Sequence, residues 1–152
     1  MQEAEQRTLS IAATLMAPLL AGNHPALAAL RAQYAVATTG LPELSGAGFF
    51  LPFAVPPQTT KVSPPDFQLT DLAFELDGAP EGGSVVLFIR GGYLSMLEAY
   101  LWADDWPETP VLRTWSYLLE TPRDHSPRAG PGYGLSPTAE RDMAAVARAI
   151  AV

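Results

Sequence analysis

Two adjacent glycines between two long apolar segments constrain the fold more than any other feature of this sequence. Gly91 and Gly92 separate the apolar segments 84–90 and 93–103. Glycine accepts the positive φ angles that a two-residue hairpin turn requires, so the sequence predicts an antiparallel β-hairpin here. Both faces of this hairpin are rich in apolar side chains. We therefore expect it to be central in a sheet and covered on both sides.

The two-residue turn also predicts which residues face each other, and with them the surroundings of one carboxylate. Counting from the turn, Arg90 faces Tyr93 and Val85 faces Glu98. The other residues on the predicted face of Glu98 are apolar or aromatic: Val85, Leu87, Ile89, Leu94, Met96, Tyr100 and Trp102. A carboxylate in such surroundings needs a hydrogen bond, an ion pair or a proton. Glu98 is therefore a candidate acid, base or ligand contact. We favour a structural role instead, in which Glu98 lies near the solvated end of the strand or pairs with Arg90, Arg113 or a helix terminus.

Helical spacing of apolar residues marks the first third of the chain. The spacing over 9–20 predicts a helix over about 2–20. Asn23 is placed to cap a second helix that has Pro25 in its first turn. His24 also lies at this helix start, where we expect a neutral capping role. A connection this short predicts an antiparallel helical hairpin.

The apolar segment 9–22 invites comparison with a signal peptide or a membrane span. Glu3 and Glu5 outnumber Arg7, so the positive start of a signal peptide is missing. The segment is also shorter than the roughly 20 apolar residues that cross a bilayer. We therefore expect a core helix of a cytoplasmic protein that does not bind a membrane.

From residue 46 onward, apolar residues alternate with polar ones, which is typical of strands. We expect strands at 49–55 and 67–76, and a fifth strand at 111–119. Pro52 places the first of these at a sheet edge or in a bulge, because proline cannot donate a ladder hydrogen bond.

The end of the chain predicts a loop followed by a helix. Residues 121–134 are rich in proline and glycine, and Ser136 followed by Pro137 is typical of a helix start. The whole chain, 1–152, is then a single α+β domain. It has an N-terminal helical hairpin, an antiparallel sheet of four or five strands, a C-terminal helix, and helices mainly on one face of the sheet.

Charge and composition exclude several classes of function. Nine Lys and Arg against sixteen Asp and Glu give a net charge of −7, which disfavours nucleic acids and anionic membranes as partners. The absence of cysteine excludes disulfides, a thiol nucleophile and thiolate metal sites. With only two histidines, we expect neither a metal site nor a cofactor.

An aromatic and acidic corner follows the hairpin. It comprises Trp102, Asp104, Asp105 and Trp106, with Pro107 behind them. Asp and Pro are typical of turns, and Trp packs well in a core. Two Trp beside acidic residues are equally typical of a protein-binding hot spot. Both interpretations of this corner stay open.

Three other patterns carry less weight. Asp71, Glu75 and Asp77 share one strand face at two-residue spacing, and a solvated edge strand explains them better than paired catalytic carboxylates do. His125 lies between an aspartate and a serine, but neighbours along a chain do not form a catalytic triad. The glycines of 130–134 lack the lysine of a phosphate-binding loop.

Three short motifs together resemble those of a known family. Residues 46–50 read G-x-G-F-F, residues 94–98 read L-S-x-L-E, and residues 104–107 read D-D-W-P. Over about 43–107, the chain resembles a family of small, uncharacterised bacterial proteins with no assigned activity. The resemblance therefore implies no catalytic role. It marks three positions for testing: Glu98, Ser95 and Gly48.

These observations favour a binding protein over an enzyme. The leading hypothesis is a small acidic module that binds a protein, of which an immunity protein that neutralises a toxin is one form, because acidic surfaces attract basic partners. The alternative is a small-molecule pocket, with or without catalysis, that has Glu98 as its polar anchor. A homodimer formed through the apolar hairpin is the third hypothesis. The candidate contact residues are Glu98, Ser95, Arg90, Trp102, Asp104, Asp105 and Trp106.

Overall fold

A computed structural model of the chain describes residues 2–122 and 133–151. The helices are α1 (Glu3–Leu19), α2 (Pro25–Val36) and α3 (Met143–Ala151). The strands are β1 (Thr38–Thr39), β2 (Glu43–Leu44), β3 (Gly48–Ala54), β4 (Phe67–Leu69), β5 (Leu72–Leu76), β6 (Ala79–Arg90), β7 (Tyr93–Leu101), β8 (Leu112–Pro122) and β9 (Tyr133–Thr138). His125, the glycines at 130 and 132, and most of the predicted loop lie outside the described residues.

The architecture is α+β, with one large antiparallel sheet and a C-terminal helix. The strands follow the order β1-β3-β7-β6-β5-β8-β9, while β2 also pairs with β3 and β4 also pairs with β6. The described residues thus form nine strands, so the prediction of four or five was too small. Two short strands extend one edge, a break at residues 70–71 divides the predicted strand 67–76 into β4 and β5, and β9 adds a strand at the other edge.

Helix α1 begins and ends within one residue of the predicted bounds, and α2 has Pro25 in its first turn as predicted. The cap of α2 is His24, whose Nδ1 accepts a hydrogen bond from the Ala26 N–H at 3.0 Å. The capping role expected of His24 is therefore confirmed, and the assignment of Asn23 as the cap is wrong. The antiparallel pairing of α1 with α2 stays a prediction. Within the described part of the chain, no helix is long and apolar enough to cross a lipid bilayer.

The hydrophobic core lies between the helices and one face of the sheet, which we call the inner face. It contains Ile11, Leu15, Leu19, Leu27 and Leu30 from the helices, and Phe49, Leu51, Leu72, Phe74, Val85, Leu87, Leu97 and Ala99 from the strands. Gln33 is fully buried in α2 and binds the hairpin turn. Its amide donates to the Gly92 carbonyl at 2.8 Å, and its Oε1 accepts from the Leu94 N–H at 2.9 Å.

The predicted hairpin is confirmed as the centre of the sheet, where β6 pairs with β7. Gly91 and Gly92 form the turn, with φ angles of 59° and 87°. Ile89 pairs with Leu94 as predicted, but Phe88 then pairs with a residue one position further along than expected. The extra residue in β7 is Ser95, which forms a β-bulge.

The bulge overturns the predicted surroundings of Glu98. Side chains alternate between the faces of a strand, so one inserted residue exchanges the faces of all residues beyond it. Glu98 pairs with Val86, while Val85 pairs with Ala99. Val85 is fully buried on the inner face, whereas Glu98 is half-buried on the opposite face. The prediction that Glu98 shares a face with Val85 is therefore wrong.

The C-terminal helix exists but begins later than predicted. Ser136 and Pro137 belong to β9, where Pro137 pairs with Leu118. The helix starts after Asp142, whose Oδ1 accepts a hydrogen bond from the Ala145 N–H at 3.1 Å. Ser followed by Pro is compatible with a helix start, but proline is also tolerated in an edge strand such as β9.

A buried arginine joins the C-terminal segment to the start of the chain. Arg141 forms a bidentate ion pair with Asp71, at 2.8 and 2.9 Å. Its Nη1 also donates to the carbonyls of Pro18, Leu19 and Ala21, at the end of α1. The last carbonyls of a helix lack partners within it, so the cation donates to them and complements the helix dipole. The Pro18 carbonyl also accepts from the Tyr117 hydroxyl at 2.9 Å and from the Ala21 N–H at 3.4 Å.

Candidate functional site

The face of the sheet opposite the helices, which we call the outer face, is only partly covered. Its side chains follow from the pairing of β3, β7 and β6. The half-buried members are Phe50, Val86, Phe88, Met96, Glu98 and Tyr100. The expectation that the hairpin is covered on both sides is therefore wrong for these residues. An apolar surface of this kind that remains partly open is typical of an interaction site.

Glu98 lies near the middle of the outer face. Its cross-strand neighbours are Phe50 on β3 and Val86 on β6. Among the described residues, Glu98 forms no ion pair within 4.0 Å, so the predicted pairing with Arg90 or Arg113 does not occur. A half-exposed carboxylate between two apolar side chains gives this part of the surface a negative charge.

A groove at the far end of the outer face lies beside Trp102; we call it the Trp102 groove. It has a volume of about 180 Å³ and is lined by Ala73, Phe74, Glu75, Glu81, Gly82, Trp102, Thr114, Trp115, Ser116, Leu118 and Pro137. The Trp102 side chain is 52% exposed, the Glu81 side chain is exposed, and Glu75 is half-buried. No lysine or arginine contributes to its described lining.

The remaining members of the aromatic and acidic corner have different roles. Trp106 contacts Phe49 edge to face at 5.2 Å, and its Nε1–H donates to Thr8 Oγ1 at 3.3 Å. Trp106 thus connects the corner to α1 through a hydrogen bond. Asp105 is exposed, and Asp104 is half-buried, with its Oδ2 atom lacking a hydrogen-bond partner among the described residues. The two tryptophans of the corner therefore differ: Trp106 packs against the core, as the first interpretation expects, and Trp102 is exposed to solvent.

Arg90 lies at the opposite end of the outer face from the Trp102 groove. Its guanidinium group lies over the Phe88 ring, 5.1 Å from the ring centre. It lines an open groove of about 460 Å³ together with Asp66, Gln68 and Thr70. Ser95 lies on the neighbouring strand, where it is the bulged residue. The outer face thus carries a cation at one end and carboxylates in its middle and at its other end.

The three carboxylates that sequence spacing placed on one strand face do not act together. Asp71 precedes β5 and pairs with Arg141, while Asp77 follows β5 and lies 3.6 Å from exposed Arg113. Glu75 lines the Trp102 groove. Across residues 2–122 and 133–151, no three His, Cys, Asp or Glu residues are arranged to hold a metal ion.

Glu81 has no signature in the sequence, because it stands alone in a turn-like segment. Glu75, which the alternating pattern assigns to a solvated edge strand, lines the same groove as Glu81. What brings them together is the pairing of β5 with β6, in which Phe74 faces Gly83. Glu75 and Glu81 lie close together because the connection between β5 and β6 is short. Gly78, which lies in that connection, is the sequence feature that could have predicted this turn.

Comparison of the chain with models of known protein families, with curated proteins and with solved structures finds no match.

Proposed function

We propose that this chain is a protein-binding module and that the outer face is its binding surface. The supporting observation is the partly open apolar surface of β3, β7 and β6, with Glu98 near its middle. Apolar side chains supply the contact energy of a protein interface, and a carboxylate among them selects the partner's charge.

The charge of the surface favours a basic protein as the occupant. Glu98, Glu75 and Glu81 form no ion pair among the described residues, and Arg90 lies at the opposite end of this face from Glu75 and Glu81. The net charge of −7 adds a long-range attraction for a basic partner. An immunity protein that neutralises a basic toxin in the cytoplasm is one form of such a module.

The alternative, a small-molecule pocket anchored by Glu98, receives less support. Its premise was that Glu98 lies among the buried residues of the inner face, and the bulge at Ser95 removes that premise. Neither the Trp102 groove nor the groove beside Arg90 has Glu98 in its lining. We therefore retain the protein-binding function.

Site-specific photo-crosslinking tests this function in the cells that produce the protein. A photoreactive phenylalanine analogue replaces Phe88 on the outer face, and the same analogue at Val111, which is 40% exposed and does not belong to the outer face, is the control. We expect one discrete adduct with a basic protein at position 88 and none at 111. No adduct at 88, equal adducts at both positions, or an adduct with a second copy of this chain would each contradict the proposal.

Affinity measurements on the purified partner then test the role of charge. By calorimetry, we expect Glu98→Arg to weaken binding by about tenfold, because it places a cation opposite a basic surface. Glu108→Arg makes the same change at an exposed position in the segment that follows the corner and serves as the matched control. Equal loss of affinity in both variants would show that net charge, rather than the outer face, determines binding.

A further inference from the structure

We infer that the Trp102 groove receives an arginine side chain of the basic partner. This inference rests on the proposed function and names the residue through which the partner is anchored. At about 180 Å³, the groove is smaller than the roughly 300–1,000 Å³ typical of sites for drug-sized ligands. Its size therefore fits one side chain better than a free metabolite.

The backbone keeps this space open beside Glu75. Gly82 has a φ of +74°, and a β-carbon there would lie 2.7 Å from the Phe74 carbonyl oxygen and 3.4 Å from Glu75 Cγ. A side chain at position 82 would therefore strain the backbone and crowd Glu75. The Trp102 N–H donates to the Gly82 carbonyl at 3.0 Å, which fixes the backbone of Trp102 beside Gly82.

The chemistry of the lining selects a cation that has a flat apolar surface. Trp102 offers an exposed indole, on which a guanidinium group stacks favourably. Glu75 and Glu81 offer carboxylates that form no ion pair among the described residues. Arginine can stack on the ring and donate two hydrogen bonds to one carboxylate, whereas lysine presents only a point charge. Ala73 and Leu118 add apolar side chains to the lining, against which the methylene groups of an arginine side chain can pack.

Titration of the ¹⁵N-labelled chain with N-acetyl-arginine amide tests this inference by NMR. The chain has three Trp, so its spectrum contains three indole N–H signals; Trp102→Phe and Trp115→Phe variants assign two of them and leave the third to Trp106. Trp106, whose indole is bonded to Thr8, provides the internal reference. We expect the Trp102 signal to shift and saturate while the Trp106 signal stays in place.

Neutral and charge-altered controls decide whether the groove recognises arginine. N-acetyl-citrulline amide has nearly the same shape without the charge, and we expect it to leave the Trp102 signal unchanged. Glu81→Gln is expected to weaken arginine binding about threefold, the size of an exposed ion pair, whereas Glu108→Gln leaves it unchanged. Equal shifts at Trp102 and Trp106, an equal response to citrulline, or an unchanged affinity in Glu81→Gln would overturn the inference.

The two proposals fail in different ways. If arginine leaves Trp102 unaffected while the partner crosslinked at position 88 still depends on Glu98, the groove inference falls and the protein-binding function stands. If arginine binds the groove while no partner crosslinks at position 88, the protein-binding function through the outer face falls instead.

Discussion

Arg141→Met is the substitution that we expect to reveal most about how this fold is held together. The change keeps much of the side-chain volume but removes the charge and every hydrogen-bond donor. It leaves the Asp71 carboxylate, which is 19% exposed, without its cation. It also removes the Arg141 donor from the carbonyls of Leu19 and Ala21, whereas the Pro18 carbonyl keeps its hydrogen bond from the Tyr117 hydroxyl.

The magnitude follows from this burial. The Arg141 side chain is 5% exposed, and removing one partner of a buried ion pair costs about 3–5 kcal/mol, because the other charge remains desolvated. For a chain of this size, such a loss lowers the melting temperature by about 10 °C. Arg113→Met is the matched control, because Arg113 and Asp77 are 59% and 60% exposed and 3.6 Å apart. It should cost less than about 1 kcal/mol.

Urea unfolding followed by tryptophan fluorescence measures both losses, and a second variant checks the mechanism. Asp71→Asn combined with Arg141→Met should destabilise less than the sum of the two single variants, because the double variant leaves no unpaired charge. If Arg141→Met unfolds at the same urea concentration as Arg113→Met, the ion pair does not join the two ends of the chain as described.

Three further predictions concern the core and its pH dependence. Gln33→Leu should cost about 2–3 kcal/mol in urea unfolding, because the buried N–H of Leu94 loses its acceptor, and a loss below about 0.5 kcal/mol would contradict this. Gly48→Ala should cost about 1–3 kcal/mol in the same assay, because the added β-carbon overlaps the backbone of β7. Unchanged stability would show that the backbones of β3 and β7 are not this close at Gly48. Burial raises the pKa values of Tyr34 and Tyr117 above 10.0, so the stability they contribute is complete below pH 10 and is lost as pH rises through the raised values. Unfolding measured from pH 8 to 12 should show this loss, and replacing both residues by phenylalanine should reduce it.

Elements with a local signature could be predicted from the sequence. The diglycine turn and its apolar flanks predicted the central hairpin, helical spacing predicted α1 to within one residue at each end, and Pro25 predicted the start of α2. The bulge at Ser95 could not be predicted in this way. Both faces of β7 carry apolar residues, so the pattern fits the register with the bulge as well as the register without it. The predicted register lacks the inserted residue and therefore placed Glu98 on the inner face, whereas Glu98 lies on the outer face.

Contacts between residues far apart in the sequence could not be predicted from the sequence pattern either. Arg141 and Asp71 are 70 positions apart, and nothing near either residue indicates the other. The same holds for the two tryptophans of the corner, because Trp106 packs against Phe49 and hydrogen-bonds Thr8, both far from it in the sequence. The Trp102 groove depends on β5, β6, β7 and β8 meeting, which the predicted sheet did not specify.

The register of the central hairpin is the most direct test of this account, because the position of Glu98 determines the charge of the outer face. Nuclear Overhauser contacts between backbone protons of β6 and β7 measure that register in solution. The account predicts contacts that join Val86 to Glu98 and Val85 to Ala99. Contacts joining Val86 to Leu97 and Val85 to Glu98 instead would turn the carboxylate towards the core and remove the basis for a charged binding surface.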